Sequence, residues 1–151
     1  MNYWLMKSEP DVYGIENLAR DRTEIWDGVR NYQARNFLKS MAVGDIAFFY
    51  HSNTKPPGIA GLMTIYEANV VDPTQFEVGH KYYDPKSTPE DPRWHTVTVA
   101  YDRMFDHYIS LDQLKETFGP EELLLVKRGN RLSVMPVEAA IAQRILQMAE
   151  S

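Results

Sequence analysis

The chain has 151 residues, 44% of them hydrophobic and 25% charged, with 16 basic against 21 acidic side chains and no cysteine. That composition fits one globular domain across residues 1–151, and the missing cysteines exclude disulfides, thiolate metal sites and a cysteine nucleophile. The net charge of −5 counts against sequence-blind binding of duplex DNA, which needs a broad face of lysine and arginine.

No apolar run approaches the ~20 residues needed to cross a bilayer, and the N-terminal stretch has neither the basic nor the apolar part of a signal peptide. A cytoplasmic protein with no membrane partner is the expectation.

In chain order, Tyr3, Trp4, Leu5 and Met6 suit a buried first strand. Pro10 opens a short helix with Val12, Ile15 and Leu18 at helical spacing. Thr23 to Trp26 reads as a short strand closed by the turn Asp27-Gly28. Asn31 is the expected N-cap of a helix running to about Met41, with Ala34, Phe37, Leu38 and Met41 on one face. Val43-Gly44-Asp45 leads into the strand Ile46 to Tyr50, and Ser52 to Gly58 reads as a loop. A long strand follows from Ile59 to Val71, where Gly58 and Gly61 mark a bulge or a close backbone approach.

Asp72 to Pro92 carries Pro73, Pro85, Pro89 and Pro92 and no regular element. Loops this long in compact domains are usually functional. Trp94 to Phe105 alternates as a strand should, and Ser110 with Gln113 forms a capping box for a helix to Phe118. Leu132 to Met135 reads as a last short strand, with Pro136 starting a C-terminal helix that carries Ile141, Ile145 and Met148. The sum is about five or six strands with about four helices and no βαβ alternation, hence an α+β fold with a mixed sheet curled into a partial barrel.

The sharpest chemical feature is Trp26-Asp27-Gly28-Val29-Arg30-Asn31-Tyr32-Gln33-Ala34-Arg35-Asn36. Trp26 is either a core residue or the floor of a pocket, and the polar run after it is either a solvated helix face or the pocket's rim. Four further groups lie near strand ends: Lys7-Ser8, His51-Ser52, Tyr82-Tyr83 with Trp94, and Arg131-Leu132-Ser133. Together they supply flat aromatic faces, amides, hydroxyls and a few cations. Such groups recognise an unstacked base by stacking and by hydrogen bonds to its edges.

Several runs resemble the EVE domain: Tyr3-Trp4-Leu5-Met6-Lys7-Ser8-Glu9-Pro10, the Trp26 to Asn36 segment, Phe48-Phe49-Tyr50-His51-Ser52-Asn53, Asp72-Pro73-Thr74-Gln75-Phe76, Tyr82-Tyr83-Asp84-Pro85-Lys86 and Arg131-Leu132-Ser133-Val134-Met135-Pro136-Val137. The resemblance runs nearly end to end. It implies a PUA-like β-barrel related to YTH and ASCH domains, and a non-enzymatic module that binds a modified nucleobase, modified cytosine above all. The base would lie in single-stranded or locally opened DNA or RNA.

On that resemblance Lys7, Ser8, Trp26, Asn31, Tyr32, His51, Ser52 and Ser133 line an aromatic pocket. Tyr83 and Trp94 compete for its second aromatic wall. Arg30, Arg35, Lys39, Lys86 and Arg131 meet flanking phosphates. No cofactor and no metal are expected, and His51, His80, His95 and His107 lack metal-ligand spacing. Two other readings stand beside this one. The pocket takes a free planar ligand such as a nucleoside, which suits the acidic charge; or His51 works with Asp84 or Glu9 in a hydrolase acting on a base.

Overall fold

A computed structural model describes residues 1–150. Its strands are β1 (Tyr3–Ser8), β2 (Thr23–Ile25), β3 (Ile46–His51), β4 (Gly58–Val71), β5 (His95–Ser110) and β6 (Val134–Val137). Its helices are α1 (Pro10–Tyr13), α2 (Ile15–Asp21), α3 (Tyr32–Ser40), α4 (Leu111–Thr117) and α5 (Ala139–Glu150). The α+β class follows directly.

All six strands join one sheet in the order β2-β5-β4-β3-β1-β6. The β1–β3 pair is parallel and the other pairings are antiparallel. Among the described residues no pairing joins β6 back to β2, so the expected barrel is a curled, open sheet. The curl is visible in α3, which packs against β5 near one end of the strand order and β6 at the other.

Local chemistry explains most of the elements. The Asn31 side chain accepts the Ala34 N–H at 2.9 Å and caps α3, which buries Ala34 and Leu38 one turn apart. Ser110 and Gln113 form the expected capping box of α4. The single helix expected after Pro10 is two, α1 and α2, broken at Gly14.

β4 and β5 shift register between Ile59 and Gly61, and a β-carbon on Gly61 would run into the Arg103 carbonyl oxygen. Glycine is therefore required by close approach of the neighbouring backbone. Pro136 corrects another expectation. It lies in β6 opposite Trp4, and α5 begins only at Ala139. β6 is an edge strand, where a residue without an N–H can pair on one side at no cost to the sheet.

The core runs along both faces of the central strands, with Leu5, Met6, Phe48, Phe49, Met63 and Ile65 essentially inaccessible. Buried Asp45 ties its edge: its carboxylate accepts the Asn2 and Ala42 N–H groups and the Trp4 indole N–H at 2.9 to 3.0 Å. No helix among the described residues is long and apolar enough to cross a membrane.

Candidate functional site

Because β1 and β3 run parallel, their C-terminal ends finish side by side, with Lys7 opposite Tyr50 and Ser8 opposite His51. The Ser52 N–H donates to the Ser8 carbonyl at 3.0 Å, and the Lys7 N–H donates to the Ser133 carbonyl, just before β6, at 2.8 Å. The curl of the sheet brings the end of β2 to the same place. Lys7, Ser8, Ser52 and Ser133 therefore share a cavity of about 580 Å³ with Trp26, Asp27, Gly28 and Tyr82. That volume suits a small planar ligand, since such sites run to roughly 300–1,000 Å³.

Trp26 is both packed in the core and part of the cavity lining. It is only 7% exposed, its ring meets Phe49 edge-on at 5.4 Å and 82°, and its backbone N–H donates to the Val97 carbonyl at 2.9 Å. Gly28 has φ +84, a conformation that disfavours any β-carbon, and a β-carbon there would strike the Tyr82 ring. Tyr82 is thus seated on the Asp27-Gly28 turn and lines the cavity with Trp26 and Tyr13. Tyr83 is 38% exposed and does not line the cavity.

Arg30 holds the Tyr82 loop in place. Its Nε and Nη2 donate to the Tyr82 carbonyl at 3.2 and 2.7 Å, and Nη2 also donates to Thr74 Oγ1 at 3.1 Å. Its Nη1 donates to the Val29 carbonyl and to Asp72 Oδ2 at 3.0 and 3.1 Å. A guanidinium has five N–H donors, and these bonds use all of them. Arg30 is a strut with its charge met by Asp72, not the phosphate contact that its sequence position suggested.

Asp72, in turn, accepts the Gly28 N–H at 2.9 Å and the Thr74 N–H at 2.8 Å. Burial alone would raise its pKa, but hydrogen bonds from Thr74, Gly28 and Arg30 outweigh burial and hold the carboxyl below its usual value. Beneath the loop, inaccessible Gln75 donates to the Asp72 and Trp94 carbonyls and accepts from Ser87 Oγ and the Trp94 N–H. The proline-rich segment is thereby a built wall.

The other predicted residues fall elsewhere. Trp94 is buried, donates its indole N–H to Asp84 at 2.8 Å and stacks on Tyr32 at 4.9 Å and 17°. Arg35 lies over the Tyr32 ring at 4.7 Å and donates to the Arg93 carbonyl at 3.0 Å. This stack lies outside the cavity lining. Asn31 spends its oxygen on the α3 cap and, with Arg131, lines a separate concavity. Lys39 and Lys86 are exposed and line neither.

His51 Nε2 accepts the Ile15 N–H at 3.1 Å, and burial lowers its pKa. It hydrogen-bonds neither Asp84 nor Glu9, whose carboxylate accepts from Asn53 at 2.7 Å. The acid–base set of the hydrolase reading is not assembled. Among the described residues no group of three or more His, Asp or Glu side chains is placed to hold a metal ion.

Tyr82 and Asp27 stand inside motifs that sequence reasoning singles out, but it gave them no pocket role, and it missed Glu24 and Tyr13; all four line the cavity. Burial and then the Asp72 charge raise the Asp27 carboxyl, and burial raises Glu24. Burial lowers Lys7, whose Nζ lies 5.9 Å from the Tyr50 ring centre and, among the described residues, has no ion-pair partner. The cavity therefore offers carboxyl acceptors, three aromatic rings (Tyr13, Trp26 and Tyr82) and two lysines, Lys7 and Lys81, that form no ion pair among the described residues. Aliphatic Val12, Ile25 and Val29 also line it.

Comparison with known proteins fits this geometry. Thymocyte nuclear protein 1 of Mus musculus is 44% identical over 168 residues, covering 99% of this chain and 74% of that protein. A crystal structure of a protein from Pseudomonas putida shares 49% identity at a TM-score of 0.94, covering 97% of this chain and 99% of that one. The crystal structure of human THYN1 in complex with 5-methylcytosine-containing DNA superposes with a TM-score of 0.92 at 42% identity, covering 100% of this chain and 99% of that one. Residues 2–148 match the EVE domain, and the chain belongs to that family.

Proposed function

We propose that this chain is a non-catalytic reader of modified cytosine in DNA and that it holds the modified base in the cavity between Trp26 and Tyr82. The observation that carries the reading is the close likeness, over the whole chain, to human THYN1 bound to 5-methylcytosine-containing DNA. The cavity's chemistry supports it. Cytosine presents an exocyclic amine that donates to carboxyl oxygens, and Asp27 and Glu24 line the wall. Its 5-methyl group needs apolar contact, which Ile25 and Val29 offer. Half-buried Tyr82 lines the cavity, and stacking of a base on its ring would be worth about 1–3 kcal/mol. That gain offsets the few kcal/mol needed to take a base out of a duplex.

The acidic lining of Glu9, Glu24 and Asp27 favours one alternative, a free planar ligand such as a nucleoside. Tryptophan-fluorescence titration separates the two. The unaltered chain is titrated with DNA and RNA oligomers carrying one plain or one 5-methylated cytosine, and with 5-methyl-2′-deoxycytidine. Tighter binding of the methylated DNA strand than of its plain and RNA counterparts is expected. Equal response to plain and methylated strands sinks the reader assignment. Binding of the nucleoside alone, insensitive to salt, establishes the free-ligand site.

A further inference from the structure

A second concavity of about 340 Å³ lies beside the base cavity, and where the first mixes carboxylates with cations, the second carries cations alone. Its lining includes Asn31 and Gln33 from the start of α3, together with Lys127, Arg128, Asn130 and Arg131. No carboxylate lines it. The segment Lys127-Arg128-Gly129-Asn130-Arg131 holds three cations in a chain of net charge −5. All three are exposed, and among the described residues none forms an ion pair.

The cations stand on a built turn. The Asn130 N–H donates to the Lys127 carbonyl at 3.1 Å, and the Asn130 side chain donates to the Leu124 carbonyl at 3.0 Å and accepts the Leu132 N–H at 3.2 Å. Gly129, at φ +81, gives the turn the left-handed residue it needs. Holding the backbone in this way lowers the ordering cost of a contact made by the side chains above it.

The two concavities share a border. Arg30 and Ser133 line the base cavity, while their chain neighbours Asn31 and Leu132 line the basic one. Consecutive Cα atoms are about 3.8 Å apart, so a polymer leaving the first cavity over this border meets the second within one residue's width. Guanidinium groups match phosphate oxygens in a two-pronged geometry, and a lysine adds a point charge. A small basic patch bordering the base cavity is also an arrangement that lets a protein of net charge −5 hold a polyanion without a basic face.

We propose that the concavity between α3 and the Lys127–Arg131 turn binds the phosphodiester backbone flanking the base held in the first cavity, with Lys127, Arg128 and Arg131 as its phosphate ligands. The proposal rests on the base-cavity reading above. Each phosphate contact contributes about 0.7 to the slope of log K against log salt on a single strand. Losing three contacts flattens that slope by about 2, and the affinity gap between variant and unaltered chain then narrows roughly 20-fold between 50 and 200 mM salt.

The test compares the unaltered full chain with Lys127→Ala/Arg128→Ala/Arg131→Ala, and with the milder Arg128→Gln/Arg131→Gln as a safeguard on folding. Binding of a labelled single strand carrying one 5-methylcytosine, its plain counterpart and 5-methyl-2′-deoxycytidine is measured across a salt series. The expected result is weaker oligomer binding with a flatter slope, unchanged nucleoside binding and an undiminished preference for the methylated strand. A variant that keeps both oligomer affinity and slope while still preferring the methylated strand overturns this proposal and leaves the base reading intact. If the unaltered chain shows no methyl preference, the base reading fails, and a slope that still flattens in the variant assigns the turn to phosphate alone. An unaltered chain that binds no oligomer overturns both.

Discussion

Arg30 and Arg131 sit on either side of the border between the two concavities, and the sequence offers both as cations at the rim of a site. The structure employs them in opposite ways. Arg30 spends its five donors on Val29, Asp72, Thr74 and Tyr82, and its charge is met by the buried Asp72 carboxylate. Arg131 is exposed and, among the described residues, has no ion-pair partner. The lesson is that counting cations does not locate a nucleic-acid contact. Accounting for each donor does: a guanidinium already saturated shapes a wall, while an unsaturated one is available to a ligand.

The comparison predicts that damage to the wall costs stability and damage to the basic turn does not. The largest effect is expected at Trp26, where truncation to alanine removes a nearly buried ring packed on Phe49. Trp26→Ala should lower stability by about 3–5 kcal/mol in urea denaturation as well as abolish ligand binding. A loss under ~1 kcal/mol would mean that the ring serves the cavity without serving the core.

Asp72→Ala comes next, because it leaves the Arg30 charge and two N–H groups without their partner. A loss of about 3–5 kcal/mol is expected. Asp72 also sets a pH signature. Its pKa is held below the ordinary carboxylate value, so its stabilising contribution is complete above the unfolded pKa of about 3.9 and is lost as pH falls through the folded value. The urea midpoint should decline below about pH 4, and Asp72→Asn should shallow that acid limb. An unchanged limb would assign it to other carboxylates, of which Asp45 is the first candidate, because its pKa is lowered too.

A smaller effect is expected at Gly28→Ala, about 1–2 kcal/mol for a β-carbon at positive φ. Binding should suffer more than stability, since the new β-carbon pushes against the Tyr82 ring. If the variant binds normally, Tyr82 is not a wall of the working site.

What was legible in the sequence was what short-range chemistry decides. Asn31 caps α3 and Ser110 with Gln113 caps α4 because each bond closes within three residues. The meeting of Lys7, Ser8, Trp26, Ser52 and Ser133 was legible through their position at strand ends, although the parallel pairing that unites them was not. What escaped was decided at a distance. Pro136 reads as a helix start until its pairing with Trp4, across the whole chain, makes it an edge-strand residue. Tyr82 and Tyr83 are neighbours of one type, and Gly28 selects between them. Arg30 reads as a free cation because Asp72, its partner, lies 42 residues on. The pairing of Trp94 with Tyr32, which lies outside the cavity lining, bridges a longer gap still.

The smallest effect in stability is the one that distinguishes the two arginines most cleanly. Arg131→Ala removes an exposed side chain with no ion-pair partner among the described residues, so the urea midpoint should move by no more than about 0.5 kcal/mol in free energy. The slope of log K against log salt on a methylated single strand should fall by about 0.7, one phosphate contact. Arg30→Ala should do the reverse, lowering stability and overall affinity while leaving the slope as it was, because its charge is balanced by Asp72 before any strand arrives. Should Arg30→Ala flatten the slope and Arg131→Ala leave it, the donors of Arg30 exchange partners on binding, and the wall becomes the phosphate clamp.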